Sequence, residues 1–353
     1  MNWLFHTNIT MENTLTKKNA TLSKVIFGTS ALGNLYSELD DSTKCKIVEE
    51  CFLHSTAPVV FDSAGKYGAG LALESIGKSL KALNVPKDKV IISNKLGWLR
   101  TELKTPEPTF EPGVWRNLKF DAIQRISYDG IIQCFEQGND LLNGYLPKLV
   151  SIHDPDEYLA LARTEKERLG FYEDILEAYE ALMDLKKQYD ITVGVGAKNW
   201  RIIEEISNGV KLDWVMIANS MTIKSHPAPL LQFMDKLSQD GVAIVNSAVF
   251  HGGFLTGGEY FDYQFVSKRE KAGQSLIKWR EDFNKICKAH NISPAAACVQ
   301  FALSAPGVQS IALNTSNPER VKANLTLANS YIPAEFWSEM KDAKLIEDYY
   351  NYI

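Results

Sequence analysis

Asp62, Tyr67, Lys95 and His153 are the residues whose types and placement point to chemistry. Each stands at, or just past, the carboxyl end of a short apolar run. Val59-Val60-Phe61 opens into Asp62-Ser63-Ala64-Gly65-Lys66-Tyr67-Gly68-Ala69-Gly70, which sets an acid and a phenol five positions apart. Val90-Ile91-Ile92 leads to Asn94-Lys95, and Leu149-Val150-Ser151-Ile152 leads to His153-Asp154-Pro155-Asp156. These side chains do acid–base work. In a barrel of parallel strands, such strand ends converge on one mouth, where catalysis is placed.

The elements that must position them follow from the pattern. Strands are expected at Lys24–Gly28, Val59–Asp62, Val90–Asn94, Leu149–Ile152, Thr192–Val195, Trp214–Ala218, Val242–Asn246 and Ser310–Leu313. Helical periodicity marks Ser42–Ser55, Leu71–Leu83, Asp121–Asn139, Phe171–Tyr189, Asn199–Asn208, Pro227–Gln239, Leu276–His290 with Pro294–Ser304, and Pro318–Ser330. Runs that are apolar throughout suit parallel strands covered on both faces, and the helices supply the crossovers. The first strand-to-helix turn, Gly28-Thr29-Ser30-Ala31-Leu32-Gly33-Asn34, lacks the Gly-x-Gly-x-x-Gly spacing of an open dinucleotide-binding sheet. The expected fold is therefore α/β, a (β/α)8 TIM barrel with long loops after strands 3 and 7. Those loops, Leu96 to Phe120 and His251 to Gly273, read as segments without secondary structure of their own. The first is expected to act as a lid.

Composition narrows the function. The chain has 353 residues, 45% hydrophobic and 23% charged, with a formal net charge of −5, which gives no electrostatic reason to expect nucleic acid as a partner. No apolar stretch has the ~20 residues of a membrane helix. Residues 1–21 are polar, lack a signal-peptide core, and are expected to form a flexible tail; residues 22–353 read as a single barrel domain. Cys45, Cys51, Cys134, Cys287 and Cys298 fit no metal or redox spacing and suit structural thiols in a reducing cytosol, so no metal is expected.

With these residues on the page, the chain resembles the aldo-keto reductase superfamily. Phe61-Asp62-Ser63-Ala64 through Tyr67-Gly68, then Glu74 and Gly77, is similar to its opening signature, and Lys95 and His153 complete its Asp-Tyr-Lys-His order. His153-Asp154-Pro155-Asp156, Phe27-Gly28-Thr29-Ser30-Ala31-Leu32-Gly33-Asn34 and Arg125-Ile126-Ser127-Tyr128-Asp129-Gly130 resemble the branch of D-threo-aldose 1-dehydrogenase (L-fucose dehydrogenase), L-galactose dehydrogenase and pyridoxal 4-dehydrogenase. The resemblance implies hydride transfer with a nicotinamide cofactor. It makes Tyr67 the general acid/base, Lys95 its electrostatic modulator, Asp62 the anchor of Lys95, and His153 the donor that orients the substrate oxygen. A free tyrosine has a pKa of about 10, and a nearby ammonium is expected to lower it.

For the cofactor, NADP or NAD, the resemblance points to Asn219, Ser247, Gly253, Leu255, Thr315, Arg320 and Asn324. Thr315 to Asn324 would grip the adenosine end at a helix amino terminus, where dipole and N–H groups favour an anion. Asn314 stands where phosphorylated-cofactor relatives often have lysine. Trp98, Arg100, Trp115 and Arg116 are the substrate candidates in the first long loop, and His226 and His251 are candidate ligand contacts in loops at the mouth. The implied activity is oxidation of the C1 hydroxyl of a free aldose, such as L-fucose, L-galactose or another D-threo-aldose, to its lactone in the cytoplasm. The partner would be a small-molecule sugar or aldehyde, with no nucleic acid and no membrane, and the protein a monomer or homodimer. The alternatives are an aldehyde or ketone reductase, a pyridoxal dehydrogenase on the same site, or a cofactor-sensing regulatory subunit with little turnover.

Overall fold

A computed structural model of the protein describes residues 22–56, 58–262 and 264–353; the expected amino-terminal tail lies outside them. Eight parallel strands close into a barrel in the order β1-β12-β9-β8-β7-β6-β3-β2. They are β1 (Val25–Gly28), β2 (Val59–Ala64), β3 (Val90–Leu96), β6 (Leu149–His153), β7 (Thr192–Ala197), β8 (Trp214–Ala218), β9 (Ala243–Ser247) and β12 (Val308–Asn314). Every expected strand is present. Most run one or two residues further toward the mouth than expected, because residues there still pair: Ser63 with Asn94, Ala64 with Lys95, His153 with Gly196.

Helices α1 (Asp41–His54), α2 (Leu71–Ala82), α3 (Tyr128–Leu141), α5 (Glu165–Gln188), α6 (Trp200–Ser207), α7 (Ala228–Gln239), α8 (Lys271–Ala289), α9 (Pro294–Ser304) and α10 (Arg320–Leu327) fill the connections. Two further helices, α4 (Pro155–Leu159) and α11 (Ala334–Asp342), have no counterpart in the sequence reading. Helix α5 starts six residues before the expected Phe171. The Thr164 hydroxyl accepts from the Glu167 N–H, and the charged first turn Glu165-Lys166-Glu167-Arg168 carries no apolar stripe.

The two long connections are not bare loops. After β3, strands β4 (Trp98–Glu102) and β5 (Phe120–Gln124) pair antiparallel, Trp98 opposite Gln124. Residues 121–124, expected to be helical, are therefore strand, and α3 begins only at Tyr128 behind its cap Ser127. After β9 a short hairpin, β10 (Tyr260–Phe261) with β11 (Gln264–Phe265), replaces the expected unstructured segment.

Inside the barrel, strand alternation sorts side chains by height. Leu22, Ile26, Val60, Ile91, Leu149, Trp214, Met216, Ala243 and Val245 form one buried apolar cluster. Trp214 lies against Gly194, where an added Cβ would come 2.3 Å from the indole, so the glycine makes room for the ring. Two positions on from Val60, Ile91 and Leu149 come Asp62, Ser93 and Ser151, and then Lys95 and His153. The barrel thus turns from apolar to polar within one or two layers.

Gly33 sets the height of the turn that carries Tyr67. A Cβ there would lie 2.8 Å from the Tyr67 carbonyl carbon and oxygen, and Gly68, at φ 62, presses on the Gly33 carbonyl from the other side. Gly33→Ala is expected to cost ~1–3 kcal/mol by overpacking and to lower activity by shifting Tyr67. Gly209→Ala, where the added methyl meets nothing within 4 Å, should stay within about 0.5 kcal/mol of the parent. Urea unfolding of both variants checks this; equal stabilities would refute the claim.

Candidate active site

Asp62 and Lys95 meet through strand stagger. In the β2–β3 register Asp62 faces Ser93 and Ala64 faces Lys95, so the acid and the amine are diagonal neighbours on the inner face. Lys95 Nζ stands 2.5 Å from Asp62 Oδ2, with the residues only 4% and 5% exposed. Burial opposes charge on the amine, but the Asp62 carboxylate, helped by Tyr67, outweighs it and holds the ammonium above its ordinary range. Removing one member of such a pair typically costs ~3–5 kcal/mol, because the other is left buried and uncompensated.

Tyr67 comes from the turn after β2. Its N–H donates to Ala64 O at 3.1 Å and its carbonyl accepts from Ala72 N at 3.2 Å, which ties it to both β2 and α2. Its ring centroid is 4.8 Å from Lys95 Nζ and 5.4 Å from the His153 ring, which meets it edge-on at 85°. The sequence led us to expect a lowered phenol pKa. The Lys95 ammonium does pull in that direction, but burial is larger and the Asp62 and Asp154 charges add to it, so the phenol is pushed up to about 12. Tyr67 is thus a protonated donor at neutral pH.

His153, 3% exposed, ends β6. Burial and then the ammonium groups of Lys66, Lys95 and Lys198 hold its pKa well below the ordinary histidine range, so the imidazole is neutral and carries one N–H. Its Nε2 lies 3.6 Å from Asp154 Oδ2, whose charge favours the proton on that nitrogen.

Around this group runs a network of charges that the sequence reading missed. Lys66, buried beside Tyr67, bridges Glu111 of the insertion after β3 (2.8 Å) and Glu157 of α4 (3.1 Å). Glu111 also accepts from Trp115 Nε1 at 2.7 Å, and the Trp115 ring rests 5.9 Å from Tyr67. Lys198, after β7, pairs with Glu157 as well. The only signal in the sequence was Lys66 itself, a charge inside an otherwise small-residue turn.

The substrate candidates divide. Trp115 packs directly on Tyr67, and Trp98 lies between Phe110 (5.7 Å) and the Lys66 ammonium (5.3 Å). Arg100 is turned the other way. Its Nε donates to Ala69 O at 2.6 Å, its Nη2 reaches Glu74 Oε2 at 2.9 Å, and its plane covers Phe120, so it staples the insertion to α2. Arg116 is exposed, with Nε 3.4 Å from Tyr36 O.

Of the dinucleotide candidates, Asn219 and Ser247 stand together at the ends of β8 and β9, joined by Asn219 N donating to Ser247 O at 3.2 Å. Arg320 opens α10, exposed, with Asn324 one turn on. The side chains of Asn219, Arg320 and Asn324 bond to no other described residue, and no side chain caps α10. These uncommitted amides and the guanidinium fit a dinucleotide with its nicotinamide near Asn219 and an anionic end near Arg320. Thr315 is closed into a local turn with Asn317, and Asn314 donates to Ser30 Oγ at 2.8 Å. Leu255 is wholly buried and its N–H is bonded to Phe250 O, so it presents no surface to a ligand, whereas Gly253, at φ 90, faces open space.

His226 and His251 are not ligand contacts. Thr222 Oγ1 and Asp262 hold the His251 ring, which stacks on Phe261 at 4.2 Å, and this clasps the hairpin after β9 to the loop after β8. His226 Nδ1 meets Thr222 O and its Nε2 accepts from Glu347 N, which anchors the carboxyl-terminal segment. Loop position had suggested a mouth role, but both rings are spent in packing.

Comparison with known proteins agrees with the barrel fold. Residues 24–344 match the Aldo/keto reductase family. Pyridoxal 4-dehydrogenase of Microbacterium luteolum is 26% identical over 97% of this chain and 99% of its own. D-threo-aldose 1-dehydrogenase of a Pseudomonas species is 25% identical over 91% and 93%, and L-galactose dehydrogenase of Arabidopsis thaliana is 34% identical over 86% and 83%. The fold is shared with glycerol dehydrogenase of Gluconobacter oxydans (TM-score 0.66, 16% identity, 94% of this chain and 95% of that one). It is shared equally with a Bacillus halodurans aldo-keto reductase in its holo form (TM-score 0.66, 18% identity, 93% of each). The chain belongs to the aldo/keto reductase family and is an NAD(P)-dependent oxidoreductase.

Proposed function

We propose that the protein oxidises the anomeric hydroxyl of a free aldose to the lactone, with Tyr67 exchanging the proton. One observation carries the reading: a phenol and an ammonium 4.8 Å apart, the ammonium fixed on Asp62, beside a neutral imidazole. A nicotinamide bound along Asn219 and Arg320 would take the hydride from the sugar C1. The chain's own groups handle the oxygen. His153 donates to it and fixes its position, Tyr67 accepts its proton on oxidation or returns one on reduction, and Lys95 stabilises the phenolate formed on proton loss. Trp115, buried against Tyr67 and Phe110, backs the phenol from behind. The named activities of the D-threo-aldose and L-galactose relatives support an aldose as substrate. Pyridoxal is the second reading, favoured by the relative that matches 97% of the chain.

Initial rates on a panel of aldoses and pyridoxal, with NAD and NADP separately, test this directly. Nicotinamide reduction with L-fucose or L-galactose is expected; silence with every aldose would sink the sugar reading. Tyr67→Phe should lose about 100-fold or more in kcat while cofactor binding persists, since general acid–base transfer contributes 10²–10⁴-fold. A regulatory subunit would lose nothing.

The raised phenol fixes the pH dependence. Oxidation needs the ionised form, which is scarce far below a pKa of about 12. Log kcat/KM for oxidation should therefore climb with a slope near one between about pH 8 and 10, while carbonyl reduction stays flat there. A plateau for oxidation beginning below pH 8 would contradict this.

A further inference from the structure

We propose that Asp154 is a specificity-determining residue whose carboxylate accepts a hydrogen bond from a hydroxyl on the substrate carbon next to the reacting one. The inference rests on the oxidoreductase reading above and deepens it. Asp154 follows His153 at φ 46, a left-handed conformation uncommon outside glycine, and Pro155 then opens α4. This bend turns the acid back beside the imidazole, with Oδ2 3.6 Å from His153 Nε2. The gap is too long for a hydrogen bond between the two. It suits a substrate that touches both: the reacting oxygen accepts from Nε2–H, and a hydroxyl on the neighbouring carbon donates to the carboxylate.

The surroundings leave Asp154 in need of such a donor. Lys198 Nζ is 3.9 Å away, beyond hydrogen-bond length. Lys198 and Lys66, the cations that face it, are both bridged by Glu157. Asp156 is engaged by the N–H groups of Lys198 (3.1 Å) and Asn199 (2.9 Å). Asp154 keeps 19% of its side chain open, against 4% for His153. Burial lifts its carboxyl to about 6, Lys198 opposes, Glu157 adds, Lys66 opposes and Asp156 adds, so it is ionised at neutral pH. An apolar substituent at that position would leave the carboxylate desolvated and unpaired, and an anionic one would be repelled. A site built to accept a hydroxyl rejects the analogue that lacks it.

The test compares 2-hydroxypropanal with propanal in the reductive direction, and an aldose with its 2-deoxy counterpart in the oxidative one. The proteins are the parent, Asp154→Asn and Asp154→Ala. The parent should favour the hydroxylated partner by ~10–100-fold, the range of a charge-assisted hydrogen bond. Asp154→Ala should abolish that preference, mainly through a higher KM for the hydroxylated compound, so that the ratio between the two members of a pair falls towards one. Asp154→Asn, which keeps an acceptor oxygen, should retain part of it. The preference should weaken below about pH 6 in the parent, as the carboxylate takes up a proton, and not in Asp154→Asn. An undiminished preference in Asp154→Ala, or equal losses for both members of a pair, would overturn the inference while leaving the activity in place. No turnover of any aldose or aldehyde by the parent would overturn the activity and this inference together.

Discussion

A buried ammonium held 2.5 Å from a buried carboxylate is the constraint around which the mouth of this barrel is arranged. The barrel makes the pair possible because its strands are staggered, which brings side chains two positions apart in register into contact. The pair is balanced in charge, yet it is asymmetric in use. Asp62 is shielded beneath, whereas Lys95 also presents its charge to the Tyr67 ring. A single ammonium therefore serves both as a structural tie between β2 and β3 and as the electrostatic support for any negative charge that forms on the phenol. Separating those two roles would require a second cation, and among the described residues the polar layer holds none as close to Tyr67.

At Tyr67, His153 and Asp154 burial decides the protonation state more than pairing does, whereas at Lys95 the pairing wins. Burial raises the Tyr67 phenol, lowers the His153 imidazole, and raises Asp154, each against or alongside the neighbouring charges. The outcome is a site with two neutral donors and one tethered cation. Such a site suits an uncharged carbonyl or hemiacetal oxygen better than an anion. The Lys66 bridge adds a mechanical side: it joins the β2 turn, the insertion after β3 and α4, and through Glu111 it fixes the plane of Trp115 against the phenol.

The barrel and the Asp-Tyr-Lys-His order were legible in the chain because both rest on local signals. Apolar runs without alternation announce strands covered on two faces, and a polar residue closing such a run announces a strand end at the mouth. What escaped reading was non-local. The β4–β5 hairpin joins segments whose pairing depends on residues about twenty positions apart, and Asp121-Ala122-Ile123 carries the same apolar weight in a helix or a strand. The helical stretch Glu165–Arg168 has no apolar stripe to announce it. His226 and His251 were misjudged because loop position says nothing of ring partners; Thr222, which serves both, shares the connection of His226 but lies in a different one from His251. Arg100 looked like a sugar ligand by type, but Glu74, one helix away, had prior claim on its guanidinium.

The Trp214 indole, seated in the space that Gly194 leaves open, gives the barrel a stopper as well as a floor. With Met216, Ile91 and Leu149 beside it, no polar path formed by the described residues leads downward from Asp62 through that layer. Traffic with bulk solvent is one-sided. Protons, water and any ligand then share the same rim, and a ligand that arrives last covers whatever lies beneath it.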